Sequence, residues 1–329
     1  MKNKIKIICT LGPNTINKDF LNFSQKNVDL LRLNMSHLSL TDLKKSIKKI
    51  KSFCKIPICI DTEGAQIRTK VKFTKYYKEK KRLNIFKNKG NFQLYPENVF
   101  DEIRRKDYLN VGFDNLKIQV ISKNQKAVFC KVVSSGKLEN NKGVHLENRN
   151  LKLDFLTQKD LKAIQIGKEM GVKNYALSFT NSINDIKNFN KILKNKNKIF
   201  KIETKKAIRG FKKFLKLGDN FLIDRGDLSK DISIENIPFV QRKLFFLKNK
   251  FKNKNIFVAT NLLESMLQNN YPTRGEANDI FSSLEMGANG LVLAAETAIG
   301  KYPKSSVKFL KKMIKSFKQS NIKNSKFFI

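Results

Sequence analysis

Short apolar segments recur along the chain, and longer stretches between them bring apolar residues back every three or four positions. Short apolar runs bounded by polar and turn residues are typical of buried strands, whereas the longer period is that of amphipathic helices. Strands that alternate with helices predict a parallel sheet covered by helices. The apolar runs number eight and span residues 5–11, 28–35, 57–62, 172–179, 198–204, 220–226, 255–260 and 289–297.

Five of the intervening stretches have a clear helical period. They span residues 40–54, 157–171, 183–195, 206–218 and 305–317. Eight strand–helix repeats fit a closed barrel better than an open doubly wound sheet. The predicted fold is therefore of the α/β class, a (β/α)8 TIM barrel.

One connection is much longer than the others, because residues 63–156 separate the third apolar run from the next helical stretch, and about 80 of them, from Lys70 to Asn150, form a segment of their own. Within it, residues 114–121 and 126–133 resemble short strands, and 134–136 predict a turn. Connections of this length in compact proteins are usually functional or are domains themselves. We predict a barrel from residues 1–69 and 151–329, with a small β-rich lid domain, residues 70–150, inserted after the third strand.

Polar residues gather where the apolar runs end. In barrels of this type the carboxyl ends of the strands carry the chemistry. Side chains two residues apart share a face of a strand, so Arg32, Asn34 and Ser36 point the same way. The same holds for Lys201 and Glu203. Charges directed into a barrel are costly to desolvate unless they pair with one another, a metal or a charged substrate. A ring of structural salt bridges is therefore the alternative to a functional site.

The types of charged residue at these ends favour phosphate chemistry. Glu203 and Asp227 lie on neighbouring strands, and one or two carboxylates are the usual protein ligands of Mg²⁺. Lys201 could neutralise a phosphoryl group, and Arg32 offers a planar fork suited to phosphate. A cation site beside a lysine and an arginine is what phosphoryl transfer requires, since that reaction depends on positioning and charge neutralisation.

Nine strings of sequence resemble the pyruvate kinase family and follow the family's order and spacing. They are KIICTLGPNT, LLRLNMSHLS, CIDTEGAQIRT, SSGKLENNKGVHL, ALSFTNSINDI, KIETKKAIRG, IDRGDLS, ATNLLESM with PTRGEANDI, and LAAETAIGKYP. Together they cover almost the whole chain. The resemblance implies a glycolytic, Mg²⁺-dependent enzyme that transfers phosphate from phosphoenolpyruvate to ADP and yields pyruvate and ATP.

The resemblance also implies roles at matched positions. Arg32 and Lys201 would be catalytic and would hold the transferring phosphoryl group. Glu203 and Asp227 would bind the Mg²⁺ that joins this group to the enolate. Thr260 would lie at the face where the enolate is protonated.

Further positions match binding residues of the family. The backbone amides of Gly226 and Asp227 would hold the substrate carboxylate. The residues that match the family's K⁺ site are Asn34, Ser36, Asp61 and Thr62. Those that match the surroundings of the nucleotide are Arg68, Lys142, His37 and Asn34, with Lys142 reaching in from the lid domain.

Single positions also have simpler explanations when they are taken outside their motifs. His37 alone would more often cap a strand end than contact a ligand. Asp61 alone would suit a helix cap, and Thr260 alone would suit a core hydroxyl that has found a hydrogen-bond partner. The surrounding motifs favour the functional interpretation of all three.

Several positions depart from the family pattern. They are Asp224 for alanine, Glu63 for lysine, Ala65 for proline, Gln66 for an acidic residue, Asn261 for glutamine, and Ala294-Ala295 for serine-glycine. Asp224 adds a negative charge next to the metal and anion site, and Gln66 lies near the K⁺ site. The chain ends at Ile329, before the family's C-terminal regulatory domain, so effector control of the familiar kind is not expected.

Two other functions are compatible with this barrel. A divergent, non-catalytic relative would bind phosphoenolpyruvate or nucleotide without turnover, and the departures at Asp224 and Ala294 favour it. An enolate-forming lyase or aldolase would use the same cation site and Lys201, because both stabilise an enolate. Product analysis without ADP would identify such a lyase.

The formal net charge of +39 raises the possibility of nucleic-acid binding. The lysines are dispersed along the chain, and no helix-turn-helix, RNP or zinc spacing accompanies them, so no specific nucleic-acid function is expected.

No apolar run approaches the length of a membrane span. The N-terminal apolar stretch is too short for a signal peptide. These features predict a cytoplasmic protein, and the four cysteines, without CxxC spacing, predict reduced core thiols. The PTRGEANDI segment resembles a family contact between barrels, which predicts a homodimer.

Overall fold

The computed structural model describes residues 4–112, 116–147, 149, 151 and 153–320. The strands are β1 Lys6–Thr10, β2 Leu30–Asn34, β3 Ile58–Asp61, β4 Ile67–Val71, β5 Lys75–Tyr77, β6 Arg82–Phe86, β7 Phe92–Tyr95, β8 Tyr108–Val111, β9 Leu116–Lys123, β10 Ala127–Ser134, β11 Gly136–Leu138, β12 Gly143–Leu146, β13 Asn174–Leu177, β14 Asn197–Ile202, β15 Asn220–Asp224, β16 Asn255–Ala259 and β17 Gly290–Leu293. The helices are α1 Lys18–Ser24, α2 Leu40–Phe53, α3 Val99–Glu102, α4 Gln158–Glu169, α5 Ile183–Ile192, α6 Lys205–Phe214, α7 Arg225–Leu228, α8 Ile237–Asn249, α9 Arg274–Glu285, α10 Ala295–Ala298 and α11 Pro303–Gln319.

Eight parallel strands close into a barrel in the order β1, β17, β16, β15, β14, β13, β3 and β2. They coincide with the eight apolar runs, and the predicted (β/α)8 barrel is confirmed. The runs are apolar along almost their whole length because side chains on one face fill the barrel and those on the other face meet the helices. Barrel strands that follow one another along the chain are hydrogen-bonded neighbours. For example, Leu31 of β2 lies opposite Ile58 of β3.

The five predicted helices correspond to α2, α4, α5, α6 and α11, with ends that differ from the predicted ones by up to four residues. Capping fixes several starts. Ser39 accepts a hydrogen bond from the Asp42 amide at the start of α2, and Ser182 and Asp185 form a reciprocal capping box at the start of α5. The pattern did not single out α8, which leaves Phe239 and Phe246 largely exposed and so blurs its apolar period.

Two layers of side chains matter for the site. The first, here called the apolar layer, contains residues from all eight barrel strands: Ile8, Leu30, Cys59, Ala176, Ile199, Leu222, Phe257, Ala259 and Val292. Residues two positions further along a strand share its face. On six strands such residues are polar and buried, and they form what we call the polar layer: Thr10, Arg32, Asp61, Ser178, Lys201 and Asp224. At the carboxyl ends of the strands, the polar layer therefore packs directly on the apolar layer.

A second compact unit spans Ala65–Thr157, and the first comprises Met1–Gly64 and Gln158–Ile329. The second unit contains a seven-stranded sheet in the order β6, β10, β9, β8, β12, β4, β7, and a two-stranded sheet of β11 and β5. Its own core includes Ile85, Phe92, Leu109 and Ile118. Gly136, expected in a turn, instead begins β11 and pairs with Tyr77 of β5.

All four cysteines are free and buried: Cys9, Cys54, Cys59 and Cys130. Burial raises the pKa of the Cys130 thiol to about 12, which suits an inert core side chain. Among the helices of the described residues, none is both long enough and apolar enough to cross a membrane.

Candidate active site

Asp61 pairs with both cationic side chains of the polar layer, Arg32 and Lys201. Its Oδ2 accepts a hydrogen bond from Arg32 Nε at 2.8 Å, and its Oδ1 accepts one from the Ser178 hydroxyl at 3.1 Å. Arg32 Nη1 also donates to the Thr10 hydroxyl at 3.0 Å. Burial would lower the pKa of the Arg32 guanidinium, but Asp61 and Asp224 raise it. Arg32 is thus held charged and in a fixed orientation inside the barrel.

Lys201 is surrounded by three carboxylates. Its ammonium nitrogen lies 2.8 Å from Glu203 Oε1, 3.2 Å from Asp224 Oδ2 and 3.3 Å from Asp61 Oδ2. It also lies 3.2 Å from the Ser178 hydroxyl. Burial would lower the pKa of Lys201, but the three carboxylates outweigh burial and raise it. The three carboxylates therefore favour the charged form of Lys201, although only 3% of the residue is exposed.

Glu203, Asp224 and Asp227 form a cluster that suits a divalent cation. Each offers a carboxylate oxygen, and the three oxygens lie within 4.8 Å of one another. Glu203 Oε2 accepts a hydrogen bond from the Phe179 amide at 2.6 Å. Glu203 Oε1 meets the Lys201 ammonium, but it accepts no well-aligned hydrogen bond from the described residues. Three carboxylate oxygens this close together are hard ligands of the kind that Mg²⁺ or Mn²⁺ takes.

The electrostatics of the cluster favour an added positive charge. Burial raises the pKa of Glu203 to about 8; Lys201 opposes this rise, and Asp224 and Asp227 add to it. Burial would also raise the pKa of Asp224, but Lys201 and Arg32 hold it well below its usual range. Asp224 is thus a negative charge beside Glu203. A bound cation would reduce the repulsion between these two carboxyl groups.

Thr260 is held in an unusual backbone conformation next to this cluster. Its φ is +75°, in the left-handed region that a β-branched residue rarely adopts. Arg225 holds the Thr260 carbonyl with two hydrogen bonds, from Nε at 3.1 Å and Nη2 at 2.7 Å, and is itself paired with Asp279. The Thr260 hydroxyl donates to Asp224 Oδ1. A Cβ at Gly226 would meet Thr260 Cγ2 at 2.8 Å, so any larger residue there would force the Thr260 side chain to shift.

The predicted K⁺ ligands lie at adjoining strand ends, but their oxygens are already engaged. Asn34 Oδ1 accepts from the Ser36 amide at 3.0 Å, and Thr62 Oγ1 accepts from the Ser178 amide at 3.1 Å. Asp61 binds Arg32 and Lys201 as described above. K⁺ takes oxygen ligands of this kind, and its binding here stays a prediction.

The predicted nucleotide residues fall in both compact units. Asn34 and His37 belong to the barrel. The His37 backbone amide donates to the Asn34 carbonyl at 3.1 Å, and His37 is exposed. Arg68 and Lys142 belong to the second unit. Arg68 Nη1 donates to the Asn141 carbonyl, next to Lys142 along the chain, and Lys142 pairs with Glu139 at 3.2 Å.

The structure brings together Arg32, Asp61, Lys201, Glu203 and Thr260, all of which the sequence had placed at strand ends. It also adds residues whose part in the site the sequence motifs did not indicate. Thr10, Ser178 and Asp224 lie two residues beyond apolar-layer positions of their strands, and that alternation would have identified them. Lys230 pairs with Asp227 at 2.6 Å. The two residues are three positions apart, a spacing that brings side chains together on a helical turn and could have indicated this pair.

Comparison with known proteins agrees with this geometry. Residues 2–307 match the family model described as the pyruvate kinase barrel domain. The chain is 32% identical to a pyruvate kinase of Thermotoga maritima over 94% of its length and 70% of the relative's. It is 31% identical to a pyruvate kinase of Methanocaldococcus jannaschii over 96% of its length and 70% of the relative's. For a pyruvate kinase of Staphylococcus saprophyticus the identity is 31%, over 94% of this chain and 56% of the relative. This chain thus spans 56% to 70% of the length of these relatives, and it belongs to the pyruvate kinase family.

Proposed function

We propose that this chain transfers a phosphoryl group from phosphoenolpyruvate to ADP and produces pyruvate and ATP. The observation that carries the proposal is the convergence of Lys201 with the carboxylate cluster of Glu203, Asp224 and Asp227 at the carboxyl ends of the barrel strands. Phosphoryl transfer needs cations around the moving group and a dry, ordered site. The family membership supports the same reaction.

Glu203 and Asp227 would hold Mg²⁺, which when bound supplies positive charge beside the phosphate and the enol oxygen. Lys201 and Arg32 would stabilise the phosphoryl group while its bond to the enol oxygen breaks and a bond to a β-phosphate oxygen of ADP forms. The enolate left behind takes a proton at its methylene carbon. The Thr260 hydroxyl, fixed by Asp224, would orient the proton donor at that carbon.

Other parts of the proposal rest on the resemblance. Gly226 and Asp227 would bind the substrate carboxylate through backbone amides. We expect K⁺ to bind the four oxygen donors named above, and Arg68, Lys142 and His37 to contact the nucleotide. A cytoplasmic location and a homodimer through Pro272–Ile280 are further predictions. Light scattering tests the dimer, since a monomer at micromolar concentration would contradict it.

The test is a coupled assay for pyruvate from phosphoenolpyruvate and ADP, with Mg²⁺ and K⁺ supplied. Turnover should depend on both substrates and should be lost in Glu203→Gln, which removes one ligand charge without changing the size of the side chain. Absence of pyruvate above the Glu203→Gln background would contradict the proposal.

One observation favours a second candidate, a non-catalytic protein that binds the same anions. Asp224 contacts both Lys201 and Thr260, so it competes with a substrate for these two side chains. Calorimetry distinguishes the two candidates, because the second predicts binding of phosphoenolpyruvate without turnover.

A further inference from the structure

Asp224 lies at the carboxyl end of β15 and connects the groups of the site. Its Oδ2 is 3.2 Å from the Lys201 ammonium, and its Oδ1 accepts the hydrogen bond of the Thr260 hydroxyl. It is 6% exposed and alternates with Leu222 of the apolar layer, so the strand directs it into the barrel. Its position is therefore determined by the fold.

The acidic side chains around Asp224 outnumber the cations that contact them. Asp61, Glu203 and Asp224 are all buried, and within the described part of the chain they share two buried cations, Arg32 and Lys201. Asp227 is paired with Lys230, so these two charges leave that balance unchanged. Charges in a water-poor interior interact strongly, so this excess favours a cation and disfavours an anion.

A second observation identifies where the cation would bind. Glu203 Oε1 is buried and lies 2.8 Å from the Lys201 ammonium, but within the part of the chain that the structure describes it accepts no well-aligned hydrogen bond. It belongs to the set of three carboxylate oxygens, one each from Glu203, Asp224 and Asp227, that lie within 4.8 Å of one another. Sites for divalent cations tune their affinity through the number of charged ligands. A third carboxylate therefore strengthens cation binding beyond what two would give.

We propose that Asp224 is a third carboxylate of the divalent-cation site and that it shifts two affinities in opposite directions. It strengthens binding of the cation and weakens binding of the phosphorylated anion that must approach Lys201. The statement about the anion rests on the proposed function, whereas the statement about the cation does not. A residue that merely positions Lys201 and Thr260 would change anion binding without changing cation binding.

The first measurement is Mn²⁺ binding to the full chain, with free ion counted by electron paramagnetic resonance. Asp224→Asn keeps the shape and removes the charge, and Asp224→Ala removes the side chain. We expect the dissociation constant to rise about tenfold in Asp224→Asn and further in Asp224→Ala. Lys201 retains Asp61 and Glu203 as partners in both variants, and thermal unfolding checks that each is folded.

A matched control lies at the other end of the same strand. Asp219 precedes β15, and its side chain is 75% exposed and paired with Lys254 at 2.8 Å. Asp219→Asn changes the net charge by the same amount, so it should leave Mn²⁺ binding unchanged. Values for Asp224→Asn and Asp224→Ala within about twofold of the unsubstituted chain would overturn the proposal.

The second measurement is calorimetric binding of phosphoenolpyruvate at saturating Mn²⁺. We expect both Asp224 variants to bind it at least threefold more tightly than the unsubstituted chain, because one repulsive charge is gone. Weaker binding in both variants would overturn the opposite-direction claim and make Asp224 a positioning residue. If no form of the chain binds phosphoenolpyruvate while Mn²⁺ affinity falls as expected, the proposed function fails and the cation role of Asp224 stands.

Discussion

The apolar and polar layers of the barrel are built from the same strands, two residues apart, and differ in what they contribute. Side chains such as Ile199 and Leu222 fill the interior and are expected to contribute to stability through buried apolar area. Lys201 and Asp224, one alternation further along, are equally buried but mostly cancel each other's charge. Buried ion pairs recover little more than their desolvation cost. The same alternation along the strands thus provides an apolar layer that stabilises the barrel and a polar layer that can carry out chemistry.

The largest expected effect comes from Lys201→Met in the polar layer. It removes the cation that would meet the phosphoryl group, so kcat should fall about 10³-fold in the pyruvate assay. It also leaves Asp61, Glu203 and Asp224 crowded without their shared partner, which should cost about 3 kcal/mol of unfolding free energy. Chemical denaturation measures that loss, and added Mg²⁺ should recover part of it.

Lys198→Met is the control for that change, because Lys198 lies near the opposite end of β14 and donates to the Leu193 carbonyl. It should lower neither kcat nor the free energy of unfolding by a comparable amount. Turnover in Lys201→Met within tenfold of the unsubstituted chain would remove Lys201 from the proposed chemistry.

The reverse behaviour is expected from Leu222→Ala in the apolar layer. The cavity should cost about 3 kcal/mol of unfolding free energy, as large-to-small substitutions in cores do. Below the unfolding transition, KM for phosphoenolpyruvate should change by less than about threefold, because β15 still pairs with β14 up to Ile223 and with β16 up to Asp224. Leu222→Met, which nearly conserves volume, is the control and should lose less than about 1.5 kcal/mol. A large change in KM with unchanged stability would contradict the separation of the two layers.

A smaller effect is expected from Arg225→Lys, outside both layers. Lysine cannot reproduce the two hydrogen bonds to the Thr260 carbonyl, so Thr260 should leave its left-handed conformation more often. We expect kcat to fall about tenfold while Mn²⁺ binding stays the same. Arg242→Lys on α8, where the arginine donates to the exposed Pro238 carbonyl, should leave kcat unchanged. An equal loss in both variants would point to a general effect of charge and not to Thr260.

The sequence predicted the barrel because eight buried strands leave a pattern that does not depend on their partners. It also placed Lys201 and Glu203 on one face, since alternation is local. It did not predict that Asp61 of β3 would reach Lys201 of β14, because β13 separates these strands and closure of the barrel brings the two side chains together. Asp224 departs from the family pattern, but its contacts with Lys201 and Thr260 follow only from the fold.

Ser178 provides the smallest and sharpest test, because it is a polar-layer residue without a charge. Its hydroxyl donates to Asp61 Oδ1 and lies within hydrogen-bond reach of Lys201. Ser178→Ala should lower the free energy of unfolding by about 1 kcal/mol, the usual value of one buried hydrogen bond. It should lower kcat no more than about threefold, because Arg32 and Lys201 still hold Asp61. The control is Ser306 in α11, a buried serine whose hydroxyl donates to the Tyr302 carbonyl. Ser306→Ala should lose a similar free energy of unfolding without any change in kcat. If Ser178→Ala instead reduced kcat as strongly as Lys201→Met, the layer would depend on its hydrogen-bond network more than on its charges.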